Sequence, residues 1–226
     1  MASAAARTNS KEPYLKGKNA AYLWSFVSIN VAVFLCLLVG KALTESGVDY
    51  FWHRVTMKDG IFVAAVPLIA IVFSGVLGDT WKARLVFWRW TDPLPGCRVF
   101  SELLARDPRL DAPALKKRLG EFPNAPQEQN ALWFKLYRKH SGALRVLEAH
   151  RNYLLTRDMT AISAAFAVVM PAALFAQTSD ARMASLYLLV LVAQYALAAR
   201  AGANYGNRFV LNVLSEESLP APRRGS

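Results

Sequence analysis

Apolar side chains along this chain gather into four runs separated by charged stretches. Residues 22–43 are apolar apart from Ser25, Ser28, Asn30 and, near the end, Lys41; residues 60–78 carry no charge at all; residues 159–176 are again apolar; and a fourth run extends from 183 to about 199, where Arg200 follows. A helix needs about 20 predominantly apolar residues to cross roughly 30 Å of hydrocarbon, and each run is of that order. The pattern predicts an all-α polytopic membrane protein with four transmembrane helices and a helical cytoplasmic insertion between spans two and three. Its parts are an N-terminal segment (1–21), span one (22–43), span two (60–78), a basic helical region (79–158), span three (159–176), span four with its cytoplasmic extension (183–206) and a tail (207–226). Pro67 and Pro171 fall inside spans two and three. In a membrane helix they are tolerated, because neighbouring groups can satisfy the freed carbonyl. The six residues 177–182 between the last two runs make those runs a helical hairpin.

Within the insertion the periodicity changes. Trp81, Lys82, Arg84, Trp88, Arg89 and Trp90 alternate aromatics with cations directly after span two. Trp favours the headgroup level and Lys/Arg stems reach for phosphates, so these six residues read as an interfacial anchor prolonging span two. The alternative is a nucleotide or nucleic-acid site built on stacking and basic charge. Pro93 and Pro95 must stop that helix. Short helices are expected over about 98–106, 113–119 and 126–140, and from residue 142 a helical pattern runs into span three without a breaker. No proline intervenes after residue 199, so span four is expected to continue as one helix past Gly206. The tail after Leu214 contains Pro220 and Pro222 and is expected to lack regular structure.

Charge sets the orientation. The N-terminal segment has Arg7, Lys11, Lys16 and Lys18 against Glu12, and residues 79–158 carry fifteen Lys/Arg against nine Asp/Glu; the 177–182 connection has only Asp180 and Arg182. Lys and Arg are retained on the cytoplasmic side, so both termini and the insertion are expected there. A basic segment ahead of the first run could be a signal peptide, but the run is long and lacks a small-residue cleavage site, which favours a retained anchor. The same retention explains the net charge of +11 and sits with the 54% apolar composition. The two cysteines, Cys36 in the outer half of span one and Cys97 in the insertion, are separated by bilayer and no disulfide is expected.

The candidate chemistry is sparse. Asn30 and Gln194 lie near the middle of spans one and four at comparable depths, and an amide facing lipid is costly. Either the two share an interhelical hydrogen bond or they line a polar pathway in an oligomer. Ala198, Gly202 and Gly206 recur every four residues, a small-residue stripe that lets helices approach and favours self-association. Arg200, Asn204, Asn207 and Arg208 are interleaved with it. Lys116, Lys117, Arg118, Arg138 and Lys139 form two basic clusters suited to a cytosolic protein partner or, as the alternative, to nucleic acid or a nucleotide. Cys97, His140 and His150 are the only soft ligands in the insertion, and their spacing matches no zinc motif, so no metal and no cofactor is expected. There is no phosphate loop, no His-Glu-x-x-His and no nucleophile elbow, which argues against an enzyme. The spans also lack the buried Asp, Glu or His of a coupled transporter.

In overall layout, from residue 22 to residue 206, the chain resembles the small multi-span membrane effectors of bacterial anti-phage defence systems. The resemblance implies an oligomeric inner (plasma) membrane protein acting with a cytosolic sensor. Together these features give the expected function: a non-enzymatic homo-oligomer in the bilayer whose cytoplasmic region binds a partner or ligand and whose membrane part alters permeability. The alternative is an anchor or scaffold, or a small transporter subunit, for a soluble partner.

Overall fold

The computed structural model of the chain describes residues 17–41, 44, 65, 68, 72 and 75–219. In chain order the elements are α1 (Gly17–Lys41), α2 (Asp79–Phe87), three consecutive short helical turns over 95–106, α3 (Ala112–Leu119), α4 (Pro126–His140), α5 (Leu144–Thr178) and α6 (Ala181–Ser218). No strand occurs among the described residues. Among the described residues three helices, α1, α5 and α6, are long and apolar enough to cross a membrane. Most of the expected second span, 60–78, lies outside the described residues, and among those residues three such helices stand where four were expected.

The α5–α6 hairpin is the frame. Its link is short because Ser179 takes a left-handed conformation (φ 53°), its N–H closing on the Phe175 carbonyl at 2.8 Å, and Asp180 then caps α6 by accepting from the Met183 N–H at 2.9 Å. A side-chain acceptor at this position satisfies one of the orphan donors of a helix start. Pro171 sits buried within α5 without ending it. On α1 only one stripe is covered: Asn19, Val27, Asn30 and Phe34 are buried, at the 3–4 residue spacing of a single helix face, while Tyr22, Trp24, Ile29, Val33 and Leu35 are exposed. A helix apolar all round yet packed on one side finds its remaining environment in lipid. At the far end of α1, Lys41 pairs with Asp180 at 2.8 Å, tying it to the hairpin link.

Two apolar cores are threaded on the same pair of helices. One joins Val27 and Phe34 of α1 to Ile162, Phe166, Met170 and Leu174 of α5 and to Tyr187 and Leu191 of α6. The other lies at the opposite end, where Val99, Leu103, Leu104, Leu115, Trp133, Leu136 and Tyr137 of the insertion close around Val146 and Tyr153 of α5 and Phe209, Val210, Val213 and Leu214 of α6. The Trp133 indole donates to the Val210 carbonyl at 3.2 Å within it. The insertion is therefore a cap assembled on the hairpin ends.

Two expectations are corrected here. Residues 207–218 are not tail: α6 is a single 38-residue helix, and its last three turns supply the cap with a buried stripe. Apolar packing against α4 and α5 outweighs the polar composition of this segment. The expected helix over about 98–106 is instead a series of short 3₁₀ and π turns. Gly96 lies so close to α4 that a Cβ there would collide with the Asn130 amide.

Candidate functional site

The polar groups that interrupt the bundle lie in successive layers, the first within the core that α1 joins and the second between the two cores. The first is the pair of amides. Gln194 Nε2 donates to Asn30 Oδ1 at 3.1 Å and lies 3.5 Å from Ser163 Oγ, while Asn30 Nδ2 donates to the Phe26 carbonyl at 2.9 Å. The structure thus brings Asn30 and Gln194 together and adds Ser163 from α5, so one node ties three helices. Interhelical hydrogen bonds of this kind contribute about 1 kcal/mol or less each, since polar groups find alternative partners in the membrane.

About one and a half turns further along α5 lies a charged layer. Lys82 Nζ contacts Asp158 Oδ1 at 2.8 Å, Arg157 contacts Asp79 Oδ1 at 2.8 Å, and Arg157 Nη2 lies 3.5 Å from the same Asp158 oxygen. Two cations meet two carboxylates, so the layer is neutral. Lys82 and Arg157 are both buried, and burial of a charge is tolerated only when it is paired. This alters the expectation for Lys82, which is not an interfacial lysine reaching for phosphate: its ammonium points inward and docks α2 onto α5.

The rest of the expected anchor is peripheral. Trp81, Trp88 and Trp90 are exposed, Arg84 stacks over the Trp81 ring at 4.5 Å and donates to the Trp90 carbonyl, and Arg89 pairs with Glu102 at 3.0 Å. Trp88 ends α2 with φ 52°, a left-handed conformation that costs a non-glycine residue roughly 1–2 kcal/mol. Its indole N–H donates to the Tyr195 hydroxyl at 3.0 Å, and that hydroxyl donates to the Leu85 carbonyl at 2.9 Å.

The small-residue stripe is occupied within the chain. A Cβ on Gly202 would lie 3.1 Å from Val86, and one on Gly206 would lie 2.7 Å from Phe87 and 2.9 Å from Tyr153. Ala198 is half-buried on the same helix. Close approach is what these residues permit, as expected, but the partner is α2 and α5 of the same molecule. Self-association through this face would have to displace the cap.

The basic clusters are divided. Arg118 donates to the carbonyls of Glu217 and Leu219, and Lys139 and His140 both contact the Glu217 carboxylate, at 2.7 and 2.6 Å. Lys116 pairs with Glu121, Arg138 lies over the Phe134 ring at 5.5 Å, and Lys117 is exposed. Three side chains therefore clamp the end of α6, leaving Lys117 and Arg138 to face solvent. His150 stacks on Phe209 at 4.5 Å and shares a 3.1 Å hydrogen bond with the Tyr137 hydroxyl, away from His140 at Glu217 and from buried Cys97. No cluster of metal-ligating side chains forms among the described residues.

Sequence reasoning did not single out Asp79, Asp158, Arg157 or Glu217. For Glu217 a signal existed: Phe209, Val210, Val213 and Leu214 keep a helical apolar spacing up to Pro220 and carry Glu217 with them. No protein-family model, curated protein sequence or solved structure matches this chain.

Proposed function

We propose that this chain is a four-span protein of the bacterial plasma membrane, with cap and both termini in the cytoplasm, and that it acts as a non-enzymatic anchor holding a cytosolic protein on the cap. The observation that carries this reading is the continuity of α6, which leaves the apolar bundle and becomes the central post of the cap core. Load on the cap is thereby borne by a membrane helix. The pairing of Asn30, Ser163 and Gln194 inside one molecule also supports an anchor over a permeability pathway, because the pathway expected from these amides needs them to face water. Of the two predicted basic clusters, Lys117 and Arg138 remain open to an acidic partner.

Membrane potential in bacteria induced to express the chain, with its genomic neighbours present, separates the two readings. An anchor leaves the potential unchanged for wild type, Asn30→Leu and Gln194→Leu alike, and Lys117→Glu/Arg138→Glu releases the co-purifying partner without loss from the membrane fraction. Depolarisation by wild type that Asn30→Leu or Gln194→Leu suppresses would overturn the anchor reading.

A further inference from the structure

One face of α6 continues past the apolar bundle without being covered. Arg182, Leu186, Leu189, Val190, Leu197, Arg200, Asn204 and Arg208 all fall on it at helical spacing, and all are exposed. Between Arg182 and Arg200, eighteen positions apart, this face is apolar over a rise that at 1.5 Å per residue is about 27 Å, close to one hydrocarbon thickness. Below Arg200 it bears Asn204 and then Arg208, roughly 6 and 12 Å further along the axis. Other cations beside the bundle are neutralised within the chain, Lys41 by Asp180, Lys82 by Asp158 and Arg157 by Asp79. Arg200 and Arg208 form no ion pair or hydrogen bond with a described residue, and neither does Asn204.

We infer that Arg200, Asn204 and Arg208 form a ladder for the headgroup phosphates of anionic phospholipids in the cytoplasmic leaflet. The inference rests on the reading of α6 as a membrane span. A face that meets acyl chains down to Leu197 must meet headgroups one turn later. There an unpaired guanidinium can donate two parallel hydrogen bonds to a phosphate, and the Asn204 amide between the two arginines can donate a third. A second copy of the chain is disfavoured as the occupant, since two cations would oppose their own images across a symmetric contact.

The test uses the full chain, delipidated in detergent and returned to nanodiscs of phosphatidylcholine alone or mixed with phosphatidylglycerol, with retained lipids counted by native mass spectrometry. Each basic residue near an anionic surface gives roughly a five-fold preference, so two are expected to enrich phosphatidylglycerol about 25-fold over phosphatidylcholine. Arg200→Gln/Arg208→Gln should abolish most of that enrichment, and Arg200→Lys/Arg208→Lys should keep part of it. A charge-matched control on the cap, Arg106→Gln/Lys135→Gln, should leave it intact, and added inorganic phosphate should not compete. Equal enrichment in wild type and the Gln variant, equal loss in the cap control, displacement by free phosphate, or Asn204→Cys dimers that crosslink in phosphatidylcholine discs would each overturn the inference. Alkaline extraction of native membranes is run on the same variants. Chains released by it would show that α6 does not span, and the failure would then lie with the membrane reading itself.

Discussion

Replacing Gly206 by alanine sets two known effects against each other at one atom. The added Cβ would lie 2.7 Å from Phe87 Cζ and 2.9–3.0 Å from the Tyr153 ring. Unstrained carbon contacts are 3.5–4.0 Å, so a shift of about 0.8 Å is required between α6 and two aromatic rings that also line the cap core. Overpacking of this kind costs about 1–3 kcal/mol. Alanine in place of glycine in a helix interior returns roughly 1 kcal/mol. The net expectation is destabilisation of about 0–2 kcal/mol. At Gly202 the nearest atom is a Val86 methyl at 3.1 Å, which has to give by only a few tenths of an ångström, so there the propensity gain balances or exceeds the strain. Thermal unfolding of the purified protein in detergent should rank Gly202→Ala above Gly206→Ala. Phe87→Leu should remove part of the difference, leaving the Tyr153 contact, a coupling readable as a double-mutant cycle. If Gly206→Ala is as stable as Gly202→Ala or more so, the close packing of α6 against α2 and α5 is refuted. A change of oligomeric state with no change of stability would refute it equally, and would return the stripe to self-association.

Three further outcomes follow from the charged and titratable groups. Asp158→Asn should destabilise by about 3 kcal/mol, because Lys82 is left buried beside a neutral amide, whereas Asp79→Asn, whose carboxylate is largely exposed, should cost under about 1 kcal/mol; chemical denaturation of the two variants compares them. The Arg109 side chain hydrogen-bonds Asp107 and holds its carboxyl below the ordinary value of 3.8. A lowered carboxyl pKa gives stability that is present above the unfolded value and lost as pH falls through the folded one. The melting temperature of wild type should therefore exceed that of Arg109→Ala at neutral pH and converge with it below about pH 3.8, and a gap that widens in acid would contradict the pairing. Burial, with the Asp92 charge adding to it, pushes the Cys97 thiol up. Water-soluble maleimide should accordingly label Cys97 slowly at neutral pH and quickly after denaturation, and rapid native labelling would show that the 95–106 turns open.

What was legible in the sequence and what was not divides along a physical line. Runs such as 159–176 announce themselves because lipid demands apolar side chains on every face, and a demand on every residue needs no partner to be read. Asn30 and Gln194 could be matched by depth alone, since a span is a ruler and each helix carries its own scale. Lys82 defeated the same reasoning: a lysine beside a tryptophan-rich boundary is ordinarily an outward cation, and its inward turn depends on Asp158, seventy-six residues away, with no local trace. The basic clusters were read as open for a similar reason. Arg118 and Lys139 find their acceptors at Glu217, 99 and 78 residues later, beyond the last apolar run, where composition suggested a loose tail. The glycine stripe showed that something approaches α6 closely but carried no information on whether it belongs to the same chain.

The 38-residue length of α6 has one more consequence. At 1.5 Å per residue the helix is about 57 Å long, roughly twice the hydrocarbon thickness, with its second half embedded in the cap. Helices adjust their tilt to bilayer thickness. Here that tilt cannot be absorbed at a hinge between membrane and cap, because no loop, glycine kink or proline interrupts α6 from Ala181 to Ser218. Over a lever of about 30 Å, each 2° of tilt carries the cap's far end sideways by about 1 Å. Bilayer thickness is thus converted into the position of the cap's surface.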